Sequence, residues 1–190
     1  MTEKKEHQTN QLKGFDPASP VILLVDDNEI NLQMLYQTLD GQGYGLLIAR
    51  SGEDALRIAA RAEKVIENSW LKSIVAFLNT DGGVLLIGVA DAGDILGTEA
   101  DRFDNDDKYL LHVNNRIREY IGLEFVSFIN FQLVPVEEQK VLLVQCQPSP
   151  SPVFFKTGKD EEFYVRVGPG NRRLSTSEVL TYVTNRKAKG

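Results

Sequence analysis

The stretch Leu71–Gly97, LKSIVAFLNTDGGVLLIGVADAGDILG, constrains the fold more than any other part of the chain. Ile74, Val75, Phe77 and Leu78 fall at helical spacing, so the segment opens as an amphipathic helix. The run Thr80-Asp81-Gly82-Gly83 then turns the chain, because glycine admits backbone angles closed to other residues. Val84–Val89 follows as a β-rich apolar run bounded by glycines, and Asp91-Ala92-Gly93-Asp94 supplies a second turn. Such a segment belongs to a mixed α/β fold (an α+β mixed sheet with helices).

Further elements follow downstream. Lys108–Ile121 is predicted as a helix with Leu110, Val113, Ile117, Tyr120 and Ile121 inward, its start favoured by Asp106 or Asp107 through the helix dipole. His112, Arg116 and Glu119 then share its outer face, and no second His stands at metal-ligand spacing. Phe125–Val136 and Lys140–Cys146 form a predicted hairpin, joined by Glu137-Glu138-Gln139. Pro148, Pro150 and Pro152 make a stiff connector that cannot continue a strand ladder. Glu162–Val167 is a further strand, Gly168-Pro169-Gly170 a turn, and Ser175 or Thr176 the cap of a terminal helix in which Glu178 is placed for a capping interaction.

With KVLLVQCQPSPSPVFF and EEFYVRVGPGNRRLSTSEV, the Leu71–Gly97 stretch resembles the Schlafen-type AlbA-like domain over roughly residues 63–187. The three segments occur in the family's order. That family is described mainly as transcriptional regulators or DNA-binding proteins, so the resemblance implies a nucleic-acid-binding module. Its members usually begin with a short strand containing a Glu-Phe-Lys-like signature, and none precedes Leu71 here. Some relatives are nucleases with paired glutamates in that region, which is replaced here, so the activity is not carried over.

Residues 20–62 resemble the opening of a CheY-like response-regulator receiver domain. Val21–Val25 is a strand ending in Asp26-Asp27, and Glu29–Leu39 is an amphipathic helix with Ile30, Leu32, Met34, Leu35 and Leu39 available for packing. Gly45–Ala49 is a second strand, and Ser51 caps a helix over Glu53–Ala62. In receivers the acidic pair holds Mg²⁺, a hard cation that prefers oxygen ligands, so Asp26 and Asp27 are a vestigial, weak Mg²⁺ pair; no cofactor is required. The resemblance then breaks off. Ile66–Thr80 contains no aspartate to accept a phosphoryl group, and no Lys-Pro occurs in the chain. The two fragments each lack what the other supplies, which suggests a recombined or engineered chimera. On that view Gly45–Ala49 joins the sheet of Val84–Val89 in one fused domain. The expected division is a flexible tail over 1–19, the truncated receiver-like segment over 20–62 and the AlbA-like domain over 63–190.

With 190 residues there is enough chain for a substantial core. A single cysteine, Cys146 in an apolar strand, excludes a disulfide scaffold and fits a cytoplasmic protein with a packing thiol. The opening MTEKKEHQTNQLKGFDPASP is neither signal peptide nor membrane anchor, and no apolar run reaches spanning length. A net charge of −6 argues against indiscriminate nucleic-acid binding. The charge is uneven, however. Asp101, Asp104, Asp106 and Asp107 cluster, whereas from Lys156 onward Lys156, Lys159, Arg166, Arg172, Arg173, Arg186, Lys187 and Lys189 outnumber the acids. A local excess of this kind steers a polyanion even towards an acidic protein.

The expected binding residues are therefore Lys156, Arg166, Arg172 and Arg173, centred on a Gly168–Arg173 loop whose glycines allow close approach to phosphates. Arg166 matches the arginine of the family's Tyr-x-Arg-x-Gly pattern, where binding and anchoring of the loop are open alternatives. Catalytic motifs are missing: there is no Gly-Lys-Ser/Thr, no Gly-x-Ser-x-Gly and no His-Glu-x-x-His. The expectation is a non-enzymatic module with DNA or RNA as partner and no membrane; a homo-oligomer is allowed. The alternatives are a two-component phosphorelay receiver, against which the missing acceptor counts, and a structural hybrid without activity.

Overall fold

The computed structural model describes residues 21–90, 92–101 and 103–187. The expected tail over 1–19 and Asp91 lie outside them. The chain divides into two compact units at Ser69/Trp70.

The first unit is built from β1 (Val21–Val25), α1 (Glu29–Leu39), β2 (Gly45–Ala49) and the opening of α2 (Gly52–Asn79). β1 and β2 pair in parallel, from Val21 opposite Gly45 to Val25 opposite Ala49. Asn28 caps α1 by accepting the Ile30 N–H at 2.9 Å. Leu47, Ala49, Ile58 and Ala62 form a small core with Val21, Leu23 and Ala55 packed on it. α1 packs less than its pattern predicts: Leu32 is buried, but Ile30 is 72% and Met34 64% exposed. Two strands offer too little surface to cover a wider helical stripe.

The second unit contains the end of α2, β3 (Gly83–Ile87), α3 (Asp106–Tyr120), β4 (Ile129–Val136), β5 (Gln139–Cys146), β6 (Phe155–Thr157), β7 (Asp160–Val167), β8 (Gly170–Leu174) and α4 (Thr176–Lys187). Two antiparallel sheets run in the orders β3-β5-β4 and β6-β7-β8. The core brings Leu71, Ile74, Val75 and Leu78 of α2 together with Val113 and Ile117 of α3, Leu142 and Val144 of β5, and Val153 and Phe155.

Three expectations need correction. β2 pairs with β1, and β3 pairs with β5, so Gly45–Ala49 does not join the sheet of Val84–Val89. The antiparallel register from Gly83 opposite Cys146 to Ile87 opposite Leu142 supplies β3 with its partner. The two helices expected around Glu53–Ala62 and after Leu71 are one continuous helix of 28 residues, with nothing between Ala62 and Trp70 that breaks helical geometry. Finally, Leu123–Phe128 is a short 3₁₀ segment rather than the start of β4. It follows Gly122, whose φ of 127° suits glycine alone.

Candidate nucleic-acid interface

The site begins at the Asn79-Thr80-Asp81-Gly82-Gly83 turn. Asn79 is fully buried. Its amide donates to the carbonyls of Val153 at 2.8 Å and Tyr164 at 3.0 Å, and its Oδ1 accepts the Val153 N–H at 2.9 Å. The Asn79 carbonyl accepts the Tyr182 hydroxyl at 2.7 Å, which ties α4 to the end of α2. Gly82, at φ 79°, crosses against the Cys146 carbonyl, and Gly83 lies flat on the Phe77 ring, where a Cβ would collide. The turn is therefore a structural joint that fixes α2 against β7.

On that joint α2 and the β7–β8 hairpin assemble a cluster of cations. Successive strand residues alternate between faces, and Tyr164 lies opposite Arg173 while Arg166 lies opposite Asn171. Glu162, Tyr164, Arg166, Asn171 and Arg173 consequently share one face, which meets α2. The Arg166 guanidinium lies over the Phe77 ring at 5.2 Å and donates to Asn171 Oδ1 at 3.0 Å. Asn171 in turn donates to the Ser73 hydroxyl at 2.8 Å. Lys72 lies over the rings of Phe155 and Tyr164, at 5.5 and 5.4 Å. Arg173 and Lys72 converge on one carboxylate: Arg173 Nη1 is 2.8 Å from Glu162 Oε1, and Lys72 Nζ is 3.8 Å from Oε2. The Tyr164 hydroxyl donates to the same Oε2 at 2.8 Å. Burial, then Glu162, push the Tyr164 phenol well above its ordinary value, so it remains a donor. Two cations thus meet one carboxylate and a third, Arg166, lies on the same face, a local excess of positive charge on a chain of net charge −6.

The four residues expected from sequence do not form one patch. Arg166 and Arg173 share the α2 face. Arg172 points to the opposite face, where it pairs with Glu178 at the start of α4. Lys156 lies on β6, across the sheet from β8, and approaches Glu124 at 3.8 Å. The expected Gly168–Arg173 loop is mostly strand β8, and only Gly168-Pro169 turns the chain, with Gly168 at φ 58°. Lys72, Ser73, Glu162 and Asn171 were missed, because nothing in sequence spacing links position 72 to position 162. The Val-Gly-Pro-Gly hairpin signal could have revealed β8 and so separated Arg172 from Arg173.

Other candidates offer less. Asp26 Oδ1 accepts the Asn28 N–H at 2.7 Å and Oδ2 the Asn31 amide at 3.2 Å, which leaves a poor donor set for Mg²⁺. Among the described residues no group of three or more His, Cys, Asp or Glu side chains could hold a metal. Burial pushes the Cys146 thiol up to about 12, in keeping with a packing role. An open hollow of about 660 Å³ between the start of α3, Leu133 and Lys140 is lined by Glu99, Asp104, Asp106 and Asp107, a lining that repels a polyanion. No helix among the described residues is long and apolar enough to cross a membrane.

A family model described as Schlafen, AlbA_2 matches residues 57–175. The crystal structure of the DIP2311 protein from Corynebacterium diphtheriae is similar at 22% identity over 62% of this chain, with a TM-score of 0.45. The chain spans 19% of that protein's length. No curated protein matches.

Proposed function

Because this chain belongs to the Schlafen AlbA_2 family, we propose that it is a non-catalytic nucleic-acid-binding module of the transcription-regulator type, and that phosphates meet it on the face shared by α2, β7 and β8. The observation that carries this reading is the convergence of Lys72, Arg166 and Arg173 on one face, with Glu162 as the carboxylate of Lys72 and Arg173 and Asn171 as the partner of Arg166. Guanidinium and ammonium groups with solvent access suit phosphate oxygens, and arginine adds a bidentate fork. Arg173 is 61% exposed and Lys72 32%, so both can be reached. Arg166 is half-buried between Phe77 and Asn171, and we assign it to anchoring the hairpin as well as to the field of the site. Arg172 and Lys156 are peripheral on this reading.

Fluorescence anisotropy with single- and double-stranded DNA and RNA tests it. Lys72→Ala with Arg173→Ala should weaken binding to every sequence alike, as backbone contacts do. An unaffected double variant, or a parent protein that binds none of the four ligands at low salt, refutes the reading and leaves a structural module. Residues 21–62 then act as a scaffold that resembles a receiver without its acceptor. Acetyl phosphate with Mg²⁺ should leave the protein's mass unchanged, and an aspartyl phosphate trapped by borohydride would contradict this.

A further inference from the structure

Glu162 is an odd residue to find at a site for a polyanion. It is the least exposed of the three ion-paired side chains: its side chain is 16% exposed, against 32% for Lys72 and 61% for Arg173. The carboxylate lies beneath the cations, with one oxygen to Arg173 and the other shared by Lys72 and the Tyr164 hydroxyl. All three partners come from different elements, α2, β7 and β8.

We propose that Glu162 is a positioning residue, which fixes Lys72 and Arg173 side by side so that both can meet phosphate oxygens on their solvent side. This inference rests on the nucleic-acid reading for its ligand, though not for the ordering of the cations. Two effects oppose each other when the charge is removed. Coulomb's law alone makes a site without Glu162 more attractive to phosphate. Against that, long cationic side chains lose considerable rotamer freedom on binding, and a carboxylate that already holds them removes much of that loss. At an exposed site the Coulomb effect is weakened by solvent and salt, whereas the ordering effect is not. Ordering therefore wins, and the neutral variant binds more weakly despite its extra positive charge.

The neighbouring Glu161 provides the comparison. It is exposed, lies opposite Lys156 and, by strand alternation, points away from Lys72 and Arg173. Glu161→Gln makes the same change of charge without touching the cluster. Binding of a 20-nucleotide DNA, single-stranded and duplex, would be measured by anisotropy for the parent, Glu161→Gln, Glu162→Gln and Glu162→Asp. Side-chain NMR of the Arg173 guanidinium would report its rotation, and thermal melting would confirm folding. Glu161→Gln should bind as well as the parent or slightly better, and Glu162→Gln about fivefold more weakly. Glu162→Asp keeps the charge but is one methylene shorter, so it too should bind more weakly. Arg173 should rotate freely in both Glu162 variants. Parent-like order of Arg173 in Glu162→Gln, or binding as tight as that of Glu161→Gln, overturns the proposal. If Glu162→Gln does not fold, Glu162→Asp decides by the same two readouts. A parent that binds no DNA refutes the functional reading instead, and the Arg173 rotation then decides by itself whether Glu162 orders the cations.

Discussion

At the scale of single residues, the most consequential side chain is an uncharged one. Asn79 uses both amide protons and its carbonyl oxygen on backbone groups 74 and 85 positions away in sequence. Asn79→Ala would leave those buried groups without partners. It should cost about 3 kcal/mol, read as a lower midpoint in urea denaturation with an unchanged slope. The turn containing Asn79 is legible in the sequence because glycine punctuates it, but its partners are not, since no local rule names a carbonyl so distant. The cap of α4 is the opposite case. Ser175 and Glu178 stand three apart, and the Glu178 carboxylate accepts both the Ser175 N–H and its hydroxyl at 2.8 Å, as the sequence pattern predicts. Those bonds, then Arg172, hold the Glu178 carboxyl below its usual 4.5. The folded-state value is depressed, so this contribution is present above pH 4.5 and is lost as pH falls through the lower folded value. Glu178→Gln should therefore flatten the acid limb of a stability-against-pH curve, and an unchanged limb would contradict this.

At the scale of elements, what was readable depended on periodicity. β1, α1 and β2 stand where alternation and helical spacing put them, at Val21–Val25, Glu29–Leu39 and Gly45–Ala49. β8 was hidden because Gly170-Asn171-Arg172-Arg173 carries no apolar alternation, and its strand conformation comes from pairing with β7. The continuity of α2 was hidden for a different reason, because two family resemblances divided a helix that no residue breaks. Hairpin chemistry exposes one weak point. β4 and β5 are joined by Glu137-Glu138, and Glu137 has φ 54°, a region costly for a residue with a Cβ. The equivalent positions in the β6–β7 and β7–β8 turns are glycines, Gly158 and Gly168. Glu137→Gly should thus raise stability by about 0.5–1 kcal/mol, the strain relieved exceeding the backbone entropy lost. A lower melting temperature would contradict this.

At the scale of the whole molecule, charge distribution decides more than total charge. A chain of net charge −6 is repelled by a polyanion at long range, so binding must come from one face and must depend on ionic strength. The sequence located an excess of cations near the carboxyl end, but strand alternation sends Arg172 and Arg173 to opposite faces, and only folding brings Lys72 beside Arg173. This separation makes adjacent arginines distinguishable by experiment. Both are equally exposed and each pairs with a glutamate, but Arg173 lies on the cation-rich face beside Lys72, whereas Arg172 lies on the opposite face and holds Glu178 at the α4 cap. If phosphates bind where we propose, the logarithm of affinity should fall linearly with the logarithm of salt concentration, as displaced counterions are released. Arg173→Ala should reduce that slope by ~1, as loss of one phosphate contact requires. Arg172→Ala should leave the slope unchanged and lower the melting temperature instead, because it removes a partner of the helix cap. Equal slope losses from the two variants would mean that ligand contacts both faces of the hairpin, and the α2–β7–β8 face would no longer be the binding surface.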